Sequence, residues 1–249
     1  MNERELILLL GGTESGRVLQ ERHGRLRFVY AASWRESPTA YPLSLAMPPQ
    51  AAEHGSATID AWLWGLLPDN SSILQRWAAR FQVCARNAFA LTSQVGEDCA
   101  GAVQLVRSER MDAMEEGARG RIEWLTEADI AGRLRALRSD PAAWRRPQDM
   151  GQFTLAGAQP KTALLFDKDR WGIPSGRIPT THILKPPTGM FAGFPENEHF
   201  CLELARALGL PAAESRVIHF CAEIAFMVER YDRVRTPAGW IRIHQEDLC

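Results

Sequence analysis

Short apolar stretches separated by glycine turns make up the first thirty residues. Glu5–Leu10 is almost entirely apolar, and Gly11 with Gly12 favours a turn after it. Gly16–Gln20 and Leu26–Tyr30 follow, the latter with the alternating apolar positions of a half-buried strand. We therefore expect three strands joined by short turns at the start of the chain.

Helical patterns follow a loop that is punctuated by prolines. An apolar segment, IDAWLWGLL, is ended by Pro68, and Ser71 or Ser72 is suited to cap the next helix, ILQRWAARF. The elements expected after these are a helix at Phe89–Val95 and a returning strand at Gly101–Val106. Together they predict a compact unit of about 105 residues, an ordinary domain size.

The next segment, Arg107–Arg121, is rich in charge and has little apolar periodicity, so it is typical of a linker or an exposed loop. Thr126 and Asp129 then have the spacing of a capping box. They predict the start of a helix that runs to about Arg138 with Ile130, Leu134 and Leu137 on its buried face.

The second half of the chain predicts one helix among several strands. Strands at Thr162–Phe166 and His182–Lys185 flank a DKDRWG turn, and a helix at Asn197–Leu208 is closed by Gly209. We expect that helix to bury Phe200, Cys201, Leu204, Ala205 and Leu208. The strands expected after it are Arg216–Phe220, Ala225–Tyr231 and Trp240–His244. The order β-β-α-β-β-β indicates an α+β fold, with one helix lying across a sheet.

Composition excludes several classes of function. A net charge of −1 gives no global case for nucleic-acid or membrane binding. Five cysteines without CxxC spacing favour a reducing cytoplasm, and six scattered histidines argue against a metal site. Trp62, Trp64 and Trp77 lie at helical spacing beside leucines, so we expect them in the core rather than stacked on bases.

Lysine is confined to one short region. Lys161, Lys168 and Lys185 fall within 25 residues, whereas the other 26 of the 29 basic residues are arginine. A compact ammonium there suits phosphate groups, although a compositional bias towards arginine explains the same counts. Small side chains at 154–159, TLAGAQ, allow a phosphate cradle or a plain β-turn.

Individual charges near this region also have two interpretations. Lys185 ends a strand, where it either faces a cleft or protects a sheet edge. Glu198 either pairs with Lys185 or favours the start of its helix through the dipole, and the dipole role is preferred. Lys168 is expected to be an ordinary surface residue. The charges of VERYDR, which are Glu229, Arg230, Asp232 and Arg233, favour a structural salt network over catalysis.

A series of motifs resembles one family in order and spacing. The motifs are YPLSLAMP (41–48), LLPDN (66–70), VGEDCAGAV (95–103), LAGAQPKTAL (155–164), TTHILKPP (180–187), NEHFCLELARALGL (197–210), VERYDR (228–233) and QEDLC (245–249). The chain is similar to the HipA-type serine/threonine kinase toxins of bacterial toxin–antitoxin modules. The resemblance implies an N-terminal subdomain over 1–107 and a linker over 108–124. It also implies, over 125–249, the small lobe of a phosphatidylinositol-kinase-like kinase that is cut at the hinge, with the large catalytic lobe missing.

The resemblance assigns roles to particular residues. It implies that Lys185 contacts ATP phosphates with Glu198 as a possible partner, and that Thr154 is a possible site of autophosphorylation. The implied ATP-binding residues are Ala156, Gly157, Ala158, Gln159, Lys161, Lys185, Gln245, Glu246 and Asp247. No residue matches the family's catalytic or metal-binding aspartates. Intact members use ATP and Mg²⁺, so weak binding or none is expected of this fragment, which we expect to be inactive.

The implied partners are a HipB-type DNA-binding antitoxin and a protein substrate such as glutamate–tRNA ligase, without direct contact to nucleic acid or a membrane. The implied location is cytoplasmic. An alternative is a non-catalytic module that binds an antitoxin, from a split or decayed toxin gene. A weaker alternative is an unrelated ATP-grasp-like or binding protein. An apolar surface is expected where the missing lobe would dock, which favours association.

Overall fold

The computed structural model describes residues 4–116, 120–146, 149, 152–189, 193–237 and 239–247. The first unit is a five-stranded antiparallel sheet in the order β4-β3-β2-β1-β5. Its strands are β1 (Arg4–Leu10), β2 (Thr13–Gln20), β3 (Leu26–Tyr30), β4 (Glu53–His54) and β5 (Val103–Val106). The three strands expected at the start of the chain are confirmed.

Four helices pack with this sheet around one apolar core. They are α1 (Ala32–Arg35), α2 (Ser56–Gly65), α3 (Ser71–Phe81) and α4 (Ala88–Val95). The cap of α3 is Asn70, whose side chain accepts hydrogen bonds from the backbone of Ser72 and Ile73, so the expectation of a serine cap was wrong by one residue. Trp77 is confirmed in the core, whereas Trp62 and Trp64 are partly buried and pack against the core.

The segment after β5 is more regular than a linker. It holds α5 (Ser108–Glu116) and then β6 (Ile122–Leu125), which pairs with a strand of the second sheet. The second sheet therefore begins within the predicted linker 108–124. The pattern of β6, IEWL, is half exposed and shows no apolar alternation, which is why the sequence did not reveal it. The next helix, α6 (Glu127–Ser139), begins with the predicted capping box of Thr126 and Asp129.

The second unit is a six-stranded antiparallel sheet in the order β10-β11-β9-β7-β8-β6. The further elements are β7 (Thr162–Asp167), β8 (Arg170–Pro174), β9 (His182–Lys185), α7 (Phe194–Ala207), β10 (Ser215–Phe220), β11 (Glu223–Glu229), β12 (Arg233–Thr236) and β13 (Gly239–Arg242). The last two form a separate hairpin. The predicted order β-β-α-β-β-β was therefore incomplete, because it lacked β6, β8 and β12.

The reason that β8 was missed lies in its turn. Lys168 and Asp169 form a two-residue hairpin turn, and both have positive φ, at 51° and 58°. Such turns usually carry asparagine or glycine. Because this turn carries neither, the sequence DKDRWG looked like one long loop instead of a turn and a new strand. Lys168 is exposed there, as expected.

Helix α7 differs most from expectation. It begins at Phe194 rather than Asn197, because Pro195 is compatible with the first helical turn. The face expected to be buried is exposed: Phe200 is 63%, Leu204 47% and Leu208 70% accessible. Cys201 is exposed too, and Ala205 is half-buried. The helix contacts β10 and β11 through its other face, so periodicity located the apolar stripe but not its environment.

The two units share a core rather than standing apart. Leu137, Trp144, Phe153 and Ala163 join the apolar cluster of the first unit. An isolated parallel bridge also links Asp98 to Phe153. Among the described residues, none of the helices combines the length and apolar character that a membrane crossing requires.

Candidate nucleotide site

The loop before β7 is folded around one lysine. The ammonium group of Lys161 donates a hydrogen bond to the carbonyl oxygen of Ala156. Gly157 has φ of +95°, and a Cβ atom there would lie 2.7 Å from Nζ of Lys161. The backbone conformation therefore favours glycine, and a side chain there would displace the ammonium group of Lys161. Ala156 and Ala158 are exposed, so their small side chains leave this backbone accessible to a ligand.

Lys185 is the last residue of β9, and its side chain lies on the face of the sheet that is opposite α6. His182 and Leu184 alternate with Ile183 and Lys185 along the strand, and Leu184 belongs to the core beneath α6. Nζ of Lys185 lies 2.5 Å from Oε1 of Glu198 on α7. It also lies 5.3 Å from the ring centroid of Phe226 on β11. Lys185 therefore faces α7 rather than an open sheet edge.

The pairing of Glu198 corrects the preferred interpretation of that residue. Because α7 begins at Phe194, Glu198 is the fifth residue of the helix and lies in its second turn. The dipole effect of a helix is confined to about the first turn. The pair with Lys185, which was the less favoured alternative, is the interaction that forms.

Lys161 and Lys185 influence each other electrostatically. Burial first, and then the neighbouring charge of Lys185, lower the pKa of Lys161, whereas Asp69 and Glu198 raise it, and the net result is a pKa of about 8. Two ammonium groups in one partly buried place repel each other. An anion bound between them would relieve that repulsion, so the pair suits phosphate groups.

Gln245, Glu246 and Asp247 lie near the loop but on another side. They line a cleft of about 320 Å³ together with Ala156 of the loop and Trp62 of the first unit. The Glu246 carboxylate accepts hydrogen bonds from Ser44 Oγ at 2.8 Å and from the Leu45 amide at 3.2 Å. The first unit therefore helps to position the predicted hinge. Leu248 and Cys249, the end of that motif, lie outside the described residues.

Thr154 is not exposed for modification. It is 1% accessible, and its hydroxyl donates a 2.6 Å hydrogen bond to the carbonyl of Leu66. Phosphorylation of this hydroxyl would require the segment to move. The autophosphorylation of Thr154 stays a prediction.

A buried ionic cluster holds these parts together. Asp98 of the first unit accepts hydrogen bonds from Arg233 and Arg242 at 2.9 Å. Arg230 lies between Asp98 and Asp232, with its Nη2 2.9 Å from Asp232 Oδ2. The three arginines hold the pKa of Asp98 below its usual range although burial alone would raise it. The structural salt network expected at VERYDR is confirmed for Arg230, Asp232 and Arg233.

Asp98 is the residue whose role the sequence did not reveal. Its backbone oxygen accepts from the amide of Thr154, which precedes the lysine loop. Its carboxylate accepts from the amide and the hydroxyl of Thr180, which precedes β9 and Lys185. Arg242 leads from β13 to the predicted hinge. Asp98 thus contacts all three segments that carry predicted site residues.

Gly101 lies three residues after Asp98, and it allows the backbone there to approach the predicted hinge closely. It has φ of +68°, and a Cβ atom there would lie 3.0 Å from the backbone nitrogen of Gln245. Its own amide donates a 2.7 Å hydrogen bond to Asp232. The motif VGEDCAGAV therefore serves the contact between the units, a role that its local sequence pattern could not disclose.

The described side chains fit the two expected groups unequally. The phosphates of ATP suit the Lys161 and Lys185 pair and the open backbone at Ala156–Ala158. A metal ion is less well provided for: within the part of the chain that the structure describes, no group of three or more His, Cys, Asp or Glu side chains is arranged to hold one. The region therefore fits the anionic ligand and supplies no separate magnesium cage.

Two family models match the two parts of this architecture. The model described as the HipA N-terminal domain matches residues 6–106, and the model described as the HipA-like C-terminal domain matches residues 153–249. The order of the domains is that of a HipA-type protein. The chain belongs to the HipA family, which confirms the resemblance inferred from the motifs.

Particular relatives support this assignment over nearly the whole chain. The protein Y4mE of Sinorhizobium fredii is 37% identical over 254 residues, which cover 100% of this chain and 59% of that protein. The serine/threonine-protein kinase toxin HipA of Shewanella oneidensis is 28% identical over 226 residues, which cover 88% of this chain and 48% of that one.

A solved structure shows the same fold. It is the complex of HipA, HipB and operator DNA from the Shewanella oneidensis MR-1 toxin–antitoxin system, matched with a TM-score of 0.75 and 26% identity. The match covers 96% of this chain and 54% of that one. The chain thus spans between about half and three fifths of the length of these relatives.

Proposed function

We propose that the chain forms the phosphate-side part of the ATP site of a HipA-type serine/threonine protein kinase. The observation that carries the proposal is the pair between Lys185 on β9 and Glu198 on α7, beside the lysine loop. In protein kinases a strand lysine neutralises nucleotide phosphates and is held by a helix glutamate. The same residue types stand here on the same kinds of element.

Each predicted residue then has a physical task. Lys185 neutralises charge on the phosphates, and Glu198 holds its side chain towards α7. The backbone at Ala156–Gln159 approaches the phosphates, while Lys161 keeps that loop closed on Ala156. The main chain at Gln245–Asp247 takes the adenine side. The reaction served is transfer of the γ-phosphate of ATP to a hydroxyl group of a protein.

Catalysis itself is assigned to a part that lies outside these 249 residues. Phosphoryl transfer depends on Mg²⁺ held by carboxylates and on a residue that orients the nucleophile. The relatives are longer than this chain, and the region of each relative that the chain does not match is long enough to hold such groups. We therefore expect the chain alone to bind ATP weakly and to transfer no phosphate.

The proposed partners follow from the family. A HipB-type antitoxin is supported by the solved relative, which was determined with HipB and operator DNA. The protein that receives phosphate is proposed to be a translation component such as glutamate–tRNA ligase, in the cytoplasm. A second candidate function is a non-catalytic module that binds such an antitoxin. The exposed apolar face of α7 favours it, because a face of that kind is typical of an interaction surface.

Direct ATP binding tests the proposal. The dissociation constant of labelled ATP is measured by equilibrium dialysis for the wild-type chain, Lys185→Ala and the control Lys168→Ala. We expect Lys185→Ala to weaken binding by roughly tenfold, since it removes a charge-assisted contact, and Lys168→Ala to bind like the wild type. Equal affinities for all three proteins would overturn the phosphate role of Lys185.

A transfer assay separates the two candidate functions. Radiolabelled ATP is incubated with the chain and with a purified HipB-type protein, and both label transfer and complex formation are measured. Complex formation without ATP binding would favour the non-catalytic module. Label transfer that is lost in Lys185→Ala would show that the 249 residues are active by themselves, against our expectation.

A further inference from the structure

A second cleft lies on the other face of the six-stranded sheet. Its volume is about 470 Å³, within the range of small-molecule sites. His182 lines it, and this residue alternates with Lys185 along β9, so the two point to opposite faces. The cleft is therefore separate from the proposed ATP site.

Aromatic rings form a fixed wall of this cleft. The Phe166 and Trp171 ring centroids are 4.6 Å apart, and His182 makes edge contacts to both, at 5.6 and 5.4 Å. Burial lowers the pKa of His182 to about 4, so its ring is neutral near pH 7. Such mutual ring contacts keep the wall in place without a ligand.

The opposite wall is fixed by an ion pair. Trp240 of β13 lines the cleft, and the Arg235 guanidinium lies 5.4 Å from its ring centroid. Arg235 in turn pairs with Asp167 at the end of β7, which ties the β12–β13 hairpin to the sheet. The cleft is thus closed from two sides by elements that are linked to each other.

Two charged groups of the cleft are left without partners. The side chains of Arg216 and Glu229 have no ion-pair partner among the residues that the structure describes. The remaining charges differ: Glu214 pairs with Arg206 outside the cleft, and Lys168 is exposed at the rim. A ligand that carries both a negative and a positive charge would pair with these two groups.

These groups define one kind of ligand. Arg216 suits a carboxylate, Glu229 suits an ammonium group, and the aromatic wall with Met227 suits a planar ring. We propose that this cleft binds a free aromatic amino acid, with its ring against Phe166 and Trp171, its carboxylate at Arg216 and its ammonium group at Glu229.

Three matched ligands test the proposal on the intact chain. Isothermal titration compares L-phenylalanine with 3-phenylpropionate, which lacks the ammonium group, and 2-phenylethylamine, which lacks the carboxylate. We expect L-phenylalanine to bind at least about fivefold more tightly than either analogue, because each analogue leaves one charge of the cleft unpaired. Equal affinities of the three ligands, or no binding at millimolar concentrations, would overturn the proposal.

Two substitutions assign the charges. Arg216→Glu is expected to weaken L-phenylalanine roughly tenfold, because it replaces an attraction with a repulsion, while 2-phenylethylamine is not weakened. Glu229→Gln is expected to abolish the preference over 3-phenylpropionate. Arg22→Glu makes the same charge change at an exposed site of the first unit and is the control. Unchanged binding in both cleft variants would contradict the assignment, and thermal unfolding verifies that each variant is folded.

Discussion

The ammonium of Lys185 lies 2.5 Å from a carboxylate oxygen of Glu198, which joins the end of β9 to the second turn of α7. The side chains are only 18% and 26% exposed. The pair therefore forms where solvent screens it less than at the surface. It orients the lysine that the family resemblance implies as the contact to ATP phosphates.

The strength of this pair is measurable by a double-mutant cycle. Lys185→Met and Glu198→Gln are each expected to destabilise the protein, whereas the double variant costs less than the sum of the two. For a partly buried pair we expect a coupling energy of about 1 kcal/mol. Urea denaturation of the four proteins gives the value, and a coupling of zero would mean that the contact contributes nothing to folding.

Removal of the charge of Asp98 should be far more damaging. Asp98→Asn leaves Arg230, Arg233 and Arg242 buried with less compensation, so we expect a loss of roughly 3–5 kcal/mol in the free energy of unfolding. Asp112→Asn, at an exposed position of α5, is the control. A loss below that of an ordinary surface substitution would show that the cluster does not hold the two units together.

The pKa of Lys161 predicts a dependence of stability on pH. This pKa is about 8 in the folded protein, against an ordinary lysine value of 10.5. Between pH 8 and pH 10.5 the unfolded chain binds more protons than the folded protein, so the contribution of Lys161 to the free energy of unfolding rises with pH. The burial of charged Lys161 therefore destabilises the folded protein most below pH 8.

Lys161→Met removes that titration. The stability of this variant relative to wild type is expected to be most favourable below pH 8 and to decline by roughly 1–3 kcal/mol towards pH 10.5. Denaturation at a series of pH values measures the difference, with the exposed Lys168→Met as the control. A difference that does not vary with pH would show that Lys161 is not desolvated.

The exposed face of α7 predicts association. Phe200 and Leu204 are 63% and 47% accessible, so their replacement costs little packing. Phe200→Ser with Leu204→Ser is expected to reduce self-association, measured by sedimentation velocity, and to change stability by less than about 1 kcal/mol. Glu203→Ser, on the same helix but charged, is the control. If the double variant self-associates as the wild type does, self-association uses a surface other than this face of α7.

Local patterns predicted the elements that have a clear period or cap. The capping box of α6 and strands β1, β3 and β9 follow directly from side chains within a few positions. The hairpin turn at Lys168 and Asp169 did not, because its residues are unusual for positive φ. A sequence signal fails where an uncommon residue adopts a conformation that its type seldom takes.

The residue types of the candidate site stood out in the sequence, but the residues that support it did not. Lys161 and Lys185 stood out because lysine is so rare in this chain. Asp98 did not, because the partners of its carboxylate lie between 82 and 144 positions away and only the fold brings them together. Similarly, the apolar stripe of α7 could be recognised, whereas its exposure depends on which face meets the sheet.

The most direct test of the central claim uses the scarcity of lysine. An ATP derivative with an acyl group on its γ-phosphate is attacked by a lysine amine, which forms an amide and releases ATP. The chain has only Lys161, Lys168 and Lys185 as acceptor side chains, so peptide mass spectrometry identifies the labelled site. We predict that Lys185 or Lys161 is labelled and that excess ATP prevents this labelling. Any labelling of Lys168 is expected to be unaffected by excess ATP. Labelling of Lys168 equal to that of the other two, or labelling that excess ATP does not reduce, would contradict the proposed ATP site.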